Sequence, residues 1–383
     1  MDSVNFLIKP ASGRCNLACR YCFYRDVTKN RETEDFGVMD RETAELLLDR
    51  AFDLDADVLT FGFQGGEPTI AGLHFFELFV EMTRERERAS ERAGRRIETR
   101  FAMQTNGVSL NADWARFFKK EGFLLGVSVD GPRLLHDAYR VRRDDSGTYS
   151  RVMEGVAVLR AHEVPINALC VVDKATADNA STVYRHLRSR GFDWIQFIPC
   201  LDPFGEDPGG RSWSLTPAAY GRFLKETFDL RYAEWRDGRP VNVRWIDNLV
   251  GMAMGQPPES CGMSGSCAVS FTVEADGSVY PCDFYVTDEW RLGNVRDAGF
   301  AEMRDGEVGR RFVESSLHVE EACRSCFAFP LCRGGCRRDR EPFKDGKPIR
   351  NRYCSAFKDF FAYAGDRILE MANTEKSMLA EHV

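Results

Sequence analysis

The chain has 383 residues, 43% hydrophobic and 29% charged, with a formal net charge of −7. That balance suits a globular protein of two or three domains, or one large barrel with an appendage, and gives no support to a general nucleic-acid-binding role. No stretch approaches 18 uninterrupted apolar residues, and the start MDSVNFLIKPASGRC lacks a signal peptide's basic-then-apolar pattern, so neither a membrane span nor an export leader is expected.

From Asn5 to about Trp245, short β-type runs alternate with helical patterns. The runs are NFLIKP, VLTFGFQGG, TRFAMQTNG, LLGVSVDGP, INALCVV and WIQFIPC. Between them lie amphipathic stretches such as DRETAELLLDRAF and GLHFFELFVEMTRERER. In the second of these, Phe75, Phe79 and Met82 share one helical face, and the end RERERASER reads as a solvated terminus. Six strand–helix repeats imply right-handed crossovers and an α/β fold, its parallel sheet curled into a full or partial barrel. Barrels of this kind put chemistry on the loops after the strands' C-terminal ends. CNLACRYC, GGEP, QTNG, DGP and CLDP all follow expected strands.

After the sixth strand a Gly/Pro/Asp-rich loop, LDPFGEDPGGRS, leads to a helix with Thr216 as N-cap and Pro217 in its first position. Its Tyr220, Phe223, Leu224, Phe228 and Trp235 are expected to pack against the barrel. GQPPESCG, residues 255–262, opens a second, cysteine-dense region with little helix until SAFKDFFAYAGDRILEMAN. The expected domains are a barrel over 1–250, a cysteine-rich domain over 251–365, and a helix end and tail over 366–383, frayed from about Asn373.

The expected compartment is cytoplasmic, where reducing conditions make disulfides a poor account of 13 cysteines, and metal ligation is the better one. Cys15-x3-Cys19-x2-Cys22 supplies three thiolates, too few to close a tetrahedral zinc site. A cubane held by three cysteines instead leaves one iron open to a substrate or cofactor. Further on, Cys261, Cys267, Cys282, Cys323, Cys326, Cys332, Cys336 and Cys354 make enough ligands for two four-cysteine sites. Their spacing leaves both zinc ions and iron–sulfur clusters open, and under either reading the fold there depends on metal. Cys170 reads as an inert buried thiol, and Cys200 as a neighbour of the site. The basic tract from Arg333 suits either a solvated surface or compensation of thiolate charge. Gln64 and Tyr24, beside the loop motifs, suit substrate orientation or packing equally.

Cx3Cx2C after a first barrel strand, joined to GGEP (Gly65–Pro68) after the second, resembles the radical S-adenosylmethionine (radical SAM) superfamily. The spacing Cys267-x9-Gly277-x4-Cys282, then Cys323-x2-Cys326-x5-Cys332-x3-Cys336, then Cys354, is similar to its SPASM extension. More narrowly, LIKPASGRCNLACRYCFY, FQGGEPT, QTNG, VSVDGP, CLDP, SCGMSGSC, DGSVYPCDFYV, WRLGN and CRGGCRR resemble the anaerobic sulfatase-maturating enzymes from about Phe6 to about Tyr363. The resemblance implies a partial (β/α)6 radical SAM barrel followed by a SPASM domain, three [4Fe–4S] clusters and SAM. Cys15, Cys19 and Cys22 would hold the SAM-cleaving cluster, with Tyr21, Gly66, Ser128, Arg140 and Leu201 contacting SAM. Cys261, Cys267, Cys282 and Cys336 would bind an inner auxiliary cluster, and Cys323, Cys326, Cys332 and Cys354 an outer one. Asp283 would be the catalytic base. The implied reaction is oxidation of a sulfatase Cys or Ser, in a Cys/Ser-x-Pro-x-Arg type motif, to Cα-formylglycine. A 5′-deoxyadenosyl radical would take a Cβ hydrogen, and an electron would leave through an auxiliary cluster. The implied partners are the sulfatase polypeptide and an electron donor such as flavodoxin or ferredoxin. Two rivals stand beside this: a SPASM-type enzyme that crosslinks a small precursor, and a zinc or iron–sulfur protein without SAM chemistry.

Overall fold

The computed structural model describes residues 3–239 and 241–381. The chain forms two compact units, each discontinuous in sequence. The first takes the chain up to 129 with 136–167 and 269–312; the second takes 130–135, 168–268 and everything from 313.

The strands are β1 (Ser3–Ile8), β2 (Val58–Phe63), β3 (Glu98–Thr105), β4 (Leu124–Ser128), β5 (Ile166–Val172), β6 (Trp194–Pro199), β7 (Asn242–Val243), β8 (Thr272–Val273), β9 (Ser278–Tyr280) and β10 (Gly293–Asn294). The first six fall on the six runs expected from the sequence. In the first unit β1 to β4 pair in parallel, in chain order. Helices Arg41–Phe52, Leu73–Arg92 and Ala112–Glu121 lie in sequence between these strands. The register sets Phe6 beside Phe61 and Phe61 beside Phe101, so aromatic rings stack across neighbouring strands at 5.5 and 6.1 Å. On the other side of β1, β8 pairs in parallel (Leu7↔Thr272, Ile8↔Val273), and β9 and β10 continue antiparallel. The helix Leu73–Arg92 buries Phe76, Phe79, Val80 and Met82. Phe79 and Met82 are buried as expected, while Phe75 is only half-buried and the adjacent Phe76 takes the deeper place. Phe76 packs at 5.0 Å from Phe63 and 5.4 Å from Trp114, between the sheet and the next helix.

In the second unit β5, β6 and β7 pair in parallel. The helix Pro217–Arg236 begins as expected, the Thr216 hydroxyl accepting from Ala219 N at 3.2 Å. Its packing departs from expectation. Phe223 does meet Phe197 of β6, at 5.0 Å, but the main neighbour is the C-terminal helix Cys354–Glu381. Tyr220 meets Tyr353 at 4.8 Å and Phe228 meets Phe360 at 5.6 Å. Gly221 would carry a Cβ 3.4 Å from Ala356 Cα, so its bare backbone lets the two helices close up. The C-terminal helix also continues past Asn373, where the sequence suggests a frayed tail, as far as Glu381. TEKSMLAE is rich in helix formers and contains no Gly or Pro to stop it. Among the described residues no helix is long and apolar enough to cross a membrane.

Candidate active site and metal-ligating cysteines

The chain from Lys9 to Cys22 leaves β1, carries the three clustered thiols, and enters the helix Phe23–Lys29 with Cys22 as its N-terminal flanking residue. Neighbouring backbone fixes its course on two sides. Gly66 N and Glu67 N, past the end of β2, donate to Ser12 O (2.9 Å) and Arg14 O (2.8 Å). Ala18 N and Arg20 N donate to Val141 O (2.8 Å) and Tyr139 O (2.9 Å). A Cβ on Gly66 would lie 2.0 Å from Arg14 O. The glycine expected to admit a ligand therefore makes room first for the cysteine loop itself.

Glu67 is fully enclosed yet well supplied with donors: Thr69 N (3.2 Å), Thr69 Oγ1 (2.8 Å), Thr105 Oγ1 (2.8 Å) and Asn106 N (2.8 Å). Burial pushes its pKa up, and those donors oppose the shift. Asn106, at the end of β3, in turn sends its amide to Asn16 Oδ1 (2.7 Å) and toward Cys15 Sγ (3.8 Å). Leu17 N also points at that sulfur, at 3.4 Å. Burial first, with Glu67, Cys19 and Cys22 adding to it, pushes the Cys15 thiol up to about 12 against the Leu17 N–H. Neighbouring thiolates penalise one another in this loop, and a cationic iron centre removes that penalty. The donor set fits a three-thiolate cluster.

The expected SAM contacts are partly assembled. The Arg140 guanidinium lies 5.5 Å from the Tyr21 ring centre, and Tyr21 packs on Tyr139 at 5.8 Å. Gly66 is bonded to the cysteine loop, and Ser128 closes β4 half-buried. Leu201 belongs to the second unit, two residues beyond β6.

Asp283 sits on a one-turn 3₁₀ helix, Asp283–Tyr285, directly after Cys282. Phe284 packs edge-on against Phe23 at 5.3 Å, which ties this turn to the helix that follows Cys22. Lys9 Nζ donates to Asp283 Oδ1 at 2.5 Å and Gln64 Nε2 to Oδ2 at 3.0 Å. Lys9 is itself 0% exposed, and its ammonium stands 3.8 Å over the Tyr24 ring. Beneath that ring the Tyr24 hydroxyl donates to Glu274, which Arg31 Nη1 also reaches at 2.6 Å. Both charged side chains of this pair are 0% exposed. Sequence reasoning singles out Gln64 and Tyr24 but misses Lys9, Arg31 and Glu274. The signal for Lys9 is a lone charge closing an apolar strand immediately before the cysteine loop.

In the second unit the four thiols of the expected outer set influence one another. Burial, then Cys354 and Cys326, raise Cys323, while burial, then Cys354, Cys323 and Cys326, push Cys332 up to about 11. Of the inner set, Cys261, Cys267 and Cys336 lie in this unit and Cys282 in the first. Cys267 feels Cys261. Cys170 and Cys200 are buried, and burial followed by Asp173, Asp202 and Asp130 raises Cys200 far above an ordinary thiol, as befits an inert one. No disulfide links the thirteen cysteines.

The radical SAM superfamily pattern matches residues 10–186, and that of the iron–sulfur cluster-binding SPASM domain matches 265–327. The cysteine-type anaerobic sulfatase-maturating enzyme of Clostridium novyi is 40% identical, over 98% of this chain and 98% of its own. The chain belongs to the anaerobic sulfatase-maturating enzymes. A second cysteine-type member, from Clostridium perfringens strain 13, is 40% identical over 98% of this chain and 100% of its own. A serine-type member from Bacteroides thetaiotaomicron is 28% identical over 93% and 88%. Native anSMEcpe, solved with bound AdoMet and Cp18Cys peptide, superposes with a TM-score of 0.91 at 39% identity, covering 97% of this chain and 99% of its own. Streptococcus suis SuiB, at 14% identity and a TM-score of 0.62, shares the fold alone. The expected fold class is borne out, as are SAM and [4Fe–4S] clusters as the cofactors of this sulfatase-maturating enzyme, and the zinc alternative gives way.

Proposed function

We propose that this enzyme oxidises a cysteine of a sulfatase polypeptide, in a Cys-x-Pro-x-Arg type motif, to Cα-formylglycine. The preference for cysteine rests on 40% identity to cysteine-type members against 28% to a serine-type one. Cys15, Cys19 and Cys22 would hold the cluster that binds SAM, with Tyr21, Gly66, Ser128, Arg140 and Leu201 around it. When bound, that centre supplies one-electron cleavage of SAM and through it removal of a Cβ hydrogen atom. The inner set (Cys261, Cys267, Cys282, Cys336) and the outer set (Cys323, Cys326, Cys332, Cys354) would each hold an auxiliary cluster, which would supply a one-electron acceptor. In this reading 1–250 is the radical SAM domain, 251–365 the SPASM domain and 366–383 the helix end. The site of action is the cytoplasm, with a flavodoxin- or ferredoxin-like donor.

The observation that carries the proposal is the setting of Asp283. A carboxylate offers about four lone pairs. Lys9 and Gln64 take one on each oxygen, which leaves one on each for the substrate thiol proton. The Asp283 side chain is 17% exposed, open enough for a peptide to reach. The Lys9 ammonium pairs with the carboxylate and fixes its rotamer, so the base is aimed before substrate arrives. Loss of a hydrogen atom, a proton and an electron leaves a thioaldehyde, which water converts to the aldehyde with release of hydrogen sulfide.

The test is anaerobic reconstitution with SAM, reductant and a Cys-x-Pro-x-Arg peptide, read by mass spectrometry. The proposal expects exchange of thiol for aldehyde. Asp283→Asn should lower its rate roughly 10²- to 10⁴-fold while 5′-deoxyadenosine still forms. An unchanged peptide, or a crosslinked one, overturns the reaction; an Asp283→Asn enzyme at full rate overturns the base.

A further inference from the structure

The basic tract that begins at Arg333 does not lie wholly on the surface. Arg338 and Arg352 turn inward, their side chains 10% and 15% exposed. Arg338 stands two residues after Cys336, and Arg352 two before Cys354. Both meet the loop that leaves β6, at Asp202. Arg352 Nη1 pairs with Asp202 Oδ2 at 2.6 Å, and Arg338 Nη2 donates to Asp202 O at 2.9 Å. The Arg338 guanidinium also stands 4.0 Å from the Phe204 ring centre. One arginine thus holds the loop's carboxylate and the other its main chain.

Asp202 gathers its own loop about the same point. Its side chain is buried; Oδ1 accepts from the Ser214 hydroxyl, and Oδ2 from Gly209 N at 3.3 Å. The second Arg352 nitrogen, Nη2, donates to Leu215 O at 3.3 Å, past the loop's far end. The planar guanidinium fork therefore spans both ends of a stretch that forms no helix or strand of its own. Ordering such a stretch costs conformational entropy that only contacts of this kind offset. The arginines are themselves fixed: Arg338 Nη1 donates to Glu341 Oε2 at 2.8 Å, and Arg352 N to Asp339 O at 2.9 Å.

We propose that Asp202, Arg338 and Arg352 are positioning residues for SAM, holding Leu201 in place from the cysteine-rich segment. The inference rests on the reading of Leu201 as a SAM contact. Leu201 lies between the clamped Asp202 and Cys200, whose N donates to Val172 O at the end of β5 (3.0 Å), so its backbone is fixed on both sides. Without the clamp the loop samples other arrangements, and SAM must select the competent one. Apparent affinity falls by the competent fraction, so a loop correctly placed a tenth of the time binds about tenfold more weakly. Removing the cation also leaves a buried carboxylate uncompensated, which draws Asp202 toward water. The segment that carries Cys336 and Cys354 and the loop that carries Leu201 are thus joined through one residue.

The experiment measures SAM binding to the unreduced, anaerobically reconstituted full-length enzyme by equilibrium dialysis, with iron counted in every sample. No peptide is present, so the result is independent of the reaction proposed above. Arg352→Gln and Asp202→Asn should each raise the SAM dissociation constant about tenfold at full iron. The double variant should bind no more weakly than either single one, because both act through one contact. In turnover the loss should fall on the KM for SAM rather than on kcat. Unchanged affinity in both single variants overturns the clamp, and additive losses in the double variant overturn the shared contact. Should Arg352→Gln load less iron, Asp202→Asn decides the question. Leu201→Glu separates the two failures: unchanged affinity there overturns the placing of Leu201 at SAM, and this inference with it.

Discussion

The two thiol-bearing regions of the chain are built on opposite plans. The loop from Lys9 to Cys22 runs between elements that are packed without it. It contributes Ala11, Leu17 and Tyr21 to the buried interior, and it bonds through its backbone to the β2 end and to residues 139–141. The segment 313–353 has little of this. Its helices Glu321–Arg324 and Phe329–Cys332 are single turns, far below the length at which a helix stands alone. Its buried side chains include Ser316, Arg337, Arg340 and Asn351 against Ala328, Pro348 and Tyr353. Under the proposed ligand sets, iron would be an addition to a scaffold in the first region and part of the scaffold in the second.

Stripping the iron should expose this difference most visibly. With a chelator present, limited proteolysis should open 313–353 at least tenfold faster, while the segment from β1 to β4 keeps its protection. Equal protection of both regions would mean that the SPASM segment holds itself together. Gly66→Ala should hit the first region differently. With Arg14 O at 2.0 Å from the new Cβ, the two loops must separate. 5′-Deoxyadenosine formation should fall at least tenfold with the circular dichroism spectrum unchanged.

Two buried carboxylates, one in each unit, sharpen the contrast. Glu274 faces Arg31 with both side chains fully enclosed, so Glu274→Gln leaves an uncompensated cation and should cost about 3–5 kcal/mol in urea unfolding of the iron-free protein. Asp173 caps the helix Lys174–Asp178 through Thr176 N, but it is 1% exposed and close to Asp130. Burial, then Asp130, pushes its pKa up from 3.8 to about 6. A raised carboxyl binds its proton more tightly folded than unfolded. Its contribution is therefore complete below pH 3.8 and lost as the pH rises through about 6. Asp173→Asn keeps a capping oxygen and removes the titration, so its stability should be flatter across that window. The difference should amount to a few kcal/mol at roughly 1.4 per pKa unit, read from Tm against pH. A parallel pH profile in wild type and variant would refute it.

The strands and the iron–sulfur chemistry were legible because each leaves a periodic or spaced trace. NFLIKP and INALCVV read as strands from composition, and Cys15-x3-Cys19-x2-Cys22 identifies its own chemistry by leaving one ligand short. What could not be read was partnership. The apolar face of Pro217–Arg236 was plain, but nothing in a periodic pattern says whether it meets a sheet or the helix Cys354–Glu381. The deeper burial of Phe76 than of Phe75 has the same origin, since two adjacent phenylalanines flank the face that Phe79 and Met82 share. Lys9 was invisible because its partner Asp283 lies 274 residues away.

That separation dictates an order of assembly. On a growing chain the residues proposed to surround SAM, from Cys15 to Leu201, are all made before Asp283, the proposed base. Lys9 meets Asp283 only once β8 has added itself to β1 and carried the following turn with it. Under the proposed roles, a polypeptide ending before β8 would carry the SAM-site residues without the base. The late strand thus completes the Lys9–Asp283 pair only after β1 to β7 have been synthesised.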